Sequence, residues 1–219
     1  MNSVFIATPV ARKPAWQYTR SLLNTALELQ RRGVEFTHEF VVGCAIAAKA
    51  RNQLVALFLA SKKDSMVFID DDMGWNVEGF MRLAASDKDV IAGVGRRRAQ
   101  DVSYCYKALK GGRTEGANVE VSAVGAAFMK ISRTAIKRMI AADPDCGRMG
   151  VVRRNSEHQR LIPYFHIFRT PDDEGEDYDF CRRYRALGGD IWVCPDIELS
   201  HVGETEFKGR LSEHVHKVP

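Results

Sequence analysis

The sequence predicts an α/β fold in which a mostly parallel central sheet carries helices on both faces and acquires mixed character in its C-terminal half. Three observations predict it. Apolar runs of strand length alternate with stretches of helical periodicity along the chain. One such run, SMVFI at residues 65–69, is almost uninterruptedly apolar, as expected of a strand buried on both faces. The composition, 219 residues with 45% hydrophobic and 27% charged, can fill one sizeable core and excludes global disorder.

Residues 3–7 form a short apolar run closed by Thr8-Pro9, which reads as a first buried strand. A helix over 16–32 follows from the spacing of Leu22, Leu23, Ala26, Leu27 and Leu29, with Gly33 at the expected C-cap. Residues 34–43 read as a strand and 45–60 as an Ala- and Leu-rich helix that presents Lys49, Arg51 and Asn52 near its start. Strand 65–69 stops abruptly at Asp70-Asp71-Asp72. A helix over 77–86, a strand over 90–94 and the basic loop Arg96-Arg97-Arg98 come next. Strands at 102–109, 119–121 and 125–131 and a helix at 134–142 complete the middle of the chain. Residues 143–170 read as a charged loop followed by a strand. A helix at 174–187 ends at Gly188-Gly189, and a strand at 191–194 leads into a tail without assigned structure.

Charge and cysteine content narrow the function classes. With 32 basic and 28 acidic residues the net charge is +4, too small to demand a nucleic-acid partner and compatible with an anionic ligand. Five cysteines without C-x-x-C spacing argue against a disulfide framework and a zinc knuckle, and favour reduced thiols in a cytosol. The N-terminal apolar stretch breaks at Pro9, too short for a signal h-region or a membrane span, so a cytoplasmic location without a transmembrane segment is expected.

The chemistry concentrates at the acidic run. Three adjacent carboxylates at the C-terminal end of a buried strand repel one another and call for a cation. Open α/β sheets bind ligands at that edge, and all-oxygen donors select Mg²⁺ or Mn²⁺, ions that bridge to phosphates. The plain alternative is a solvated acidic turn before the helix at 77. Farther along, Glu176, Asp177 and Asp179 open a helix, where the dipole alone accounts for them, yet the apolar Tyr178, Phe180 and Cys181 pin that helix start and suit a positioned base. His201, in a glycine-containing turn, is a candidate nitrogen ligand. Trp75, just after the acidic run, has a better claim to a sugar-stacking position than Trp192, which sits inside a strand.

Together, FIDDDMGW at 68–75, AKARN at 48–52, VGAAFMKISRTAI at 124–136, GEDYDFCRRYRALGGDIWVCPDI at 175–197 and HVGETEFKG at 201–209 resemble the GT-A glycosyltransferases with a D-x-D motif, closest to small single-domain members of the inverting family-two group of bacterial or viral type. The resemblance covers most of the chain in the family's order. It implies a Rossmann-like GT-A domain over 1–219, with a nucleotide-binding half at 1–95, an acceptor-binding half at 96–200 and a closing tail at 201–219. It further implies that Asp70 and Asp71 face the nucleotide, that Asp72 and His201 hold Mn²⁺ or Mg²⁺, and that Lys208 or Arg210 closes over the phosphates. Thr8 and Pro9 would cradle the nucleobase, Arg51 would reach the nucleotide or the D-x-D carboxylates, Asp177 would be the catalytic base, and Glu176 with Trp75 would position the acceptor. The donor implied is a nucleoside-diphosphate sugar, a UDP-sugar favoured, and the acceptor a hydroxyl on a glycan, a lipid-linked molecule or DNA. Transfer would proceed with inversion, although the His-x-Gly…Lys tail is also similar to that of retaining members.

Other classes fit less well. Aspartyl phosphatases carry Asp-x-Asp on their first strand, and sugar-phosphate nucleotidyltransferases need a glycine-rich loop there, which ATPVARKPAW is not. The basic clusters Arg96–Arg98, Arg153-Arg154 and Arg160 would serve a non-catalytic nucleic-acid-binding module or a transferase acting on hydroxylated bases of DNA, but each reads more simply as solvated loop charge.

Overall fold

The computed structural model describes residues 3–99, 101–154, 158–203 and 205–215. In chain order the elements are β1 (Ser3–Val10), α1 (Trp16–Arg31), β2 (Glu35–Val42), α2 (Ala47–Ala60), β3 (Ser65–Ile69), β4 (Met73–Trp75), α3 (Val77–Ala85), β5 (Val90–Ala92), β6 (Tyr106–Ala108), β7 (Thr114–Glu115), β8 (Asn118–Val124), β9 (Phe128–Ser132), α4 (Arg133–Ala142), β10 (Gly147–Arg154), β11 (His158–Phe165), α5 (Glu176–Ala186), β12 (Ile191–Val193), β13 (Leu199–Val202), β14 (Glu206–Gly209) and α6 (Ser212–Val215).

The central sheet has nine strands in the order β2-β1-β3-β9-β5-β12-β8-β6, with β7 also paired to β8. Strands β1, β2, β3, β5, β6, β7 and β12 run one way, and only β8 and β9 run against them. The sheet is therefore mostly parallel, and its antiparallel insertions come from the second half of the chain. All five residues of β3 are buried. Met66 and Phe68 enter one core and Val67 and Ile69 the other, the period-2 split expected of a strand covered on both faces. Helices α2, α4 and α5 cover the first face, and α1 and α3 the second.

Local chemistry sets the helix ends. Asn76 and Ser132 cap α3 and α4 by accepting the N–H groups of Gly79 and Ala135 at 2.7 and 3.0 Å. Gly33 and Gly188 lie just past α1 and α5 with φ of 65° and 76°, a left-handed conformation that glycine adopts without a Cβ penalty.

Three expectations need correction. Residues 147–154 and 158–165 pair as the antiparallel strands β10 and β11, whereas a loop and a single strand were expected. The tail after residue 195 is not unstructured, because β13 pairs on one side with β14 and on the other with β4, making a separate three-stranded sheet. The strand expected at 102–109 shrinks to β6, with Tyr104 bridging to Arg96.

The C-terminus of α2 is held by a side chain far away in sequence. Arg133, the first residue of α4, donates to the carbonyls of Lys63, Phe58 and Ser61 at 2.8, 2.9 and 2.9 Å, and its guanidinium lies over the Phe58 ring at 4.4 Å. These carbonyls lie at and just past the C-terminus of α2, so a charged donor there ties α2 to α4. Arg133→Ala is expected to lower unfolding stability by about 2–3 kcal/mol, and Arg133→Lys to recover less than half, read by urea denaturation.

Candidate functional site

The acidic run sits at the C-terminal end of β3 and is tied down by three distant segments. The Asp70 N–H donates to the Ala127 carbonyl at 3.0 Å, the Asp71 carbonyl accepts from Ala15 at 2.8 Å, and the Asp72 carbonyl accepts from Val202 at 2.8 Å. The turn is thus a junction of the chain, and its half-buried carboxylates point where this web places them.

Strand β13 delivers His201 to this junction, because His201 lies opposite Met73, the residue after Asp72, in the β4–β13 pairing. Its Nδ1 is 3.0 Å from the Arg96 carbonyl, which can only accept, so Nδ1 carries the proton and Nε2 presents a bare lone pair. Burial, followed by the neighbouring Arg98, holds the imidazole pKa below its ordinary value, so His201 is neutral at physiological pH. Nε2 faces the Asp72 Oδ1 atom at 3.5 Å, and that oxygen is buried without a hydrogen-bond partner. Two electron-rich atoms therefore face each other in a half-buried site. Asp72 also carries an ion pair to Arg98 through its Oδ2 atom.

The buried Arg51 of α2, 4% exposed, organises the other side of the site. Its Nη2 lies 3.0 Å from Asp70 and its Nε 3.2 Å from Glu176, and its third nitrogen, Nη1, is buried without a hydrogen-bond partner. One guanidinium therefore bridges the end of β3 to the start of α5. Asp177, next to Glu176, accepts from the Ala126 N–H at 3.3 Å and from the Tyr178 N–H at 2.8 Å. Burial first, and then the Glu176 charge, raise its pKa above the usual carboxylate value. The Asp71 carboxyl is raised by the same two causes, burial and then Asp70.

The structure thus brings Arg51, Asp70 and Glu176 together in one network and Asp72 and His201 together in a second, the two joined through the acidic turn that also carries Asp71, with Asp177 beside Glu176. Pro9 lies half-buried at the end of β1. Other expected site residues go elsewhere. Trp75 is 8% exposed, its indole N–H donates to Thr25 Oγ1 at 2.9 Å, and its ring packs on Tyr18 and Phe128, so it is a core residue and not an acceptor platform. The Thr8 side chain is fully buried, 2.6 Å from the Tyr18 hydroxyl and 3.3 Å from His38 Nε2, and cannot touch a nucleobase. Lys208 lies opposite Ser200, so in a pleated ladder it projects from the face opposite to His201, and its ammonium lies 3.4 Å from Glu206. Arg210 is paired with Glu198 at 2.6 Å and Glu213 at 3.2 Å. Neither cation is positioned to close over the Asp72–His201 pair.

Sequence reasoning missed Arg96 and Arg98, which it assigned to a solvated loop. The available signal was topological: β5 runs parallel to β3, so the basic loop after β5 emerges at the same sheet edge as the acidic run.

No protein-family model matches the chain, and no curated protein matches it in sequence. Solved structures do. Similar folds include the protein A197 from STIV, with 14% identity over 97% of this chain and 91% of that one and a TM-score of 0.55. The catalytic domain of Drosophila β1,4-galactosyltransferase 7 in complex with xylobiose shares 12% identity over 99% of this chain and 74% of its own, with a TM-score of 0.50, and a mutant of that enzyme was crystallised with manganese, UDP-Gal and xylobiose. GalNAc-T7, solved with UDP, GalNAc and Mn²⁺, shares 11% identity over 93% of this chain and 44% of its own, with a TM-score of 0.51. At these identities the likeness establishes a GT-A-like Rossmann fold.

The sealed Thr8–Tyr18–His38 cluster has a pH signature. Burial depresses His38 to about 4, against 6.5 for an exposed imidazole. The unfolded chain therefore binds the proton first, so stability falls as pH drops from about 6.5 to about 4 and no further from this group below that. His38→Gln is expected to remove up to about 3 kcal/mol of this acid sensitivity, measured as the difference between wild-type and variant urea stabilities at pH 7 and pH 4.

Proposed function

We propose that the chain transfers a glycosyl group from a nucleoside-diphosphate sugar, with a UDP-sugar the leading candidate, to an acceptor hydroxyl. The observation that carries the reading is the facing pair of neutral His201 Nε2 and orphaned Asp72 Oδ1 at 3.5 Å. The GT-A-like fold supports it by putting this pair at the ligand-binding edge of the sheet.

The donor set fits a divalent cation. One carboxylate oxygen and one imidazole nitrogen, with the other imidazole nitrogen oriented by a backbone carbonyl, form a mixed O/N pair that leaves most coordination positions for waters and phosphate oxygens. Among the described residues no group of three or more His, Cys, Asp or Glu side chains could cage a metal alone. A two-ligand site of this kind needs the donor's diphosphate to complete it. Mn²⁺ or Mg²⁺ bound there would offset the negative charge that develops on the departing nucleoside diphosphate.

The chain's own residues supply the rest. Arg51 keeps Asp70 and Glu176 in register. Asp177 is the proposed base: it takes the proton of the acceptor hydroxyl as that oxygen attacks the anomeric carbon and the bond to the diphosphate breaks on the opposite face, which inverts the centre. Two backbone N–H groups fix its carboxylate, and its raised pKa makes it a stronger base than an exposed aspartate. Glu176, held by Arg51, orients the acceptor.

A melting-temperature panel of UDP-, GDP-, CMP- and dTDP-sugars with and without Mn²⁺ tests the reading, since a ligand specific for the folded state raises the transition by mass action. One nucleotide is expected to stabilise the protein only with the metal, and Asp72→Ala or His201→Ala to abolish that shift. A panel flat for all donors would overturn it. Asp177→Asn is expected to keep the shift and to lose about 10² to 10⁴ in turnover.

Arg98 competes for Asp72 in the ligand-free protein. Because this pair is part-exposed, Arg98→Ala is expected to tighten Mn²⁺ binding by only about two- to fivefold, read by the free-Mn²⁺ electron paramagnetic resonance signal.

A further inference from the structure

A second cleft, with a cavity volume of about 720 Å³, opens between the first half of α2 and the β10–β11 strand pair. At about 100° per residue, Lys49, Asn52 and Gln53 share the face of α2 that lines it, and Arg51, committed to Asp70 and Glu176, points away from that face. The wall on this side is rigid. Asn52 clamps the backbone of Phe168 through both its amide nitrogen and its amide oxygen, each at 2.8 Å.

Three cations line the cleft, Lys49, Arg148 and Arg169, and no carboxylate does. Arg169 is ion-paired with Asp143. Lys49 makes no ion pair among the described residues, and the Arg148 guanidinium is spread over the Tyr164 ring at 5.3 Å. The His166 imidazole, edge-on to Tyr164 at 5.2 Å, registers the local field: its pKa is pushed down by burial and then by Arg148 and Arg169. Like charges converging on a concave wall, with only Arg169 of the three carrying an ion pair among the described residues, raise the local concentration of anions, and guanidinium groups fit phosphate oxygens in forked pairs.

We propose that this cleft binds a phosphate ester of an organic molecule. A bare phosphate would leave most of the volume empty, since cavities of this size hold whole small molecules. Tyr164 and the exposed Met149 give the organic body of such a ligand a surface beside the cations. None of these residues belongs to the Asp72–His201 pair, so the proposal stands without the glycosyl-transfer reading. The phosphate ester has two sources, a phosphorylated acceptor or a nucleotide, which the test separates.

Phenyl phosphate is the probe, titrated calorimetrically into the full chain, with inorganic phosphate as a second ligand. Binding is expected in the wild type, weaker for inorganic phosphate, and at least tenfold weaker in Lys49→Ala/Arg148→Ala. The single variant Lys49→Gln, in which one exposed ammonium is lost, keeps the test valid if the double variant melts early. Arg20→Ala, on the outer face of α1, is expected to bind as the wild type does. Phosphate should also raise the His166 imidazole pKa in proton NMR, and not in the double variant. If UDP displaces phenyl phosphate, the occupant is a nucleotide. If both bind at once, it is a phosphorylated acceptor. Absence of phenyl phosphate binding, or equal binding by wild type and both cleft variants, would overturn the proposal.

Discussion

Everything at the candidate site depends on how three consecutive carboxylates are held at the end of a strand buried on both faces. In a half-buried turn such groups would protonate or drive the turn outward unless cations and oriented donors met them. The chain meets them from three directions. Arg51 reaches Asp70 from α2, Arg98 reaches Asp72 from the loop after β5, and the backbone of the turn is bonded to Ala15, Ala127 and Val202. The raised pKa of Asp71 shows what remains uncompensated.

The two sheets divide this work. The nine-stranded sheet fixes the edge at which β3 and β5 both end, and so places acidic turn and basic loop side by side. The small β14-β13-β4 sheet then converts the residue after Asp72 into a strand and lays His201 across it. Close packing makes this possible: at Gly74 a Cβ would come within 2.4 Å of Ser200 Oγ, so β4 and β13 approach as they do only with glycine there. An imidazole more than a hundred residues from the acidic run becomes its neighbour through three residues of ladder.

Legibility in the sequence followed the length and regularity of each signal. β3 and the acidic run were legible because five buried residues followed by three charges admit few readings, α1 because its apolar period extends over several turns, α2 because of its Ala and Leu content, and α5 because Gly188-Gly189 marks its end. β4, β13 and β14 were not, since, unlike the equally short but wholly apolar β5 and β12, they mix glycine or polar residues into strands too short to show a period. The site residues divided partly along the same line. Arg51 and Glu176 sit on long helices and Asp70 and Asp72 directly follow β3, whereas His201 reached the site on an unseen strand. Trp75 was misplaced because an unseen strand turns its ring inward, and Lys208 because the register of an unseen ladder turns it away. Arg98 was overlooked because an exposed arginine in a loop looks the same in sequence whether or not it has a partner.

The placement of Asp177 shows how several small effects combine into one property. The N-terminus of α5 favours a negative charge, and two backbone N–H groups do the same. Alone they would make Asp177 a weak base. Burial and the adjacent Glu176 carboxylate act in the opposite sense and prevail. Glu176, however, is not free to move away, because Arg51 holds it with the same guanidinium that holds Asp70. The acidity at the start of α5 and the geometry at the end of β3 are therefore not independent quantities. Any substitution at Arg51 changes both together, which makes that buried side chain, and not either carboxylate, the point at which the two halves of the site are coupled.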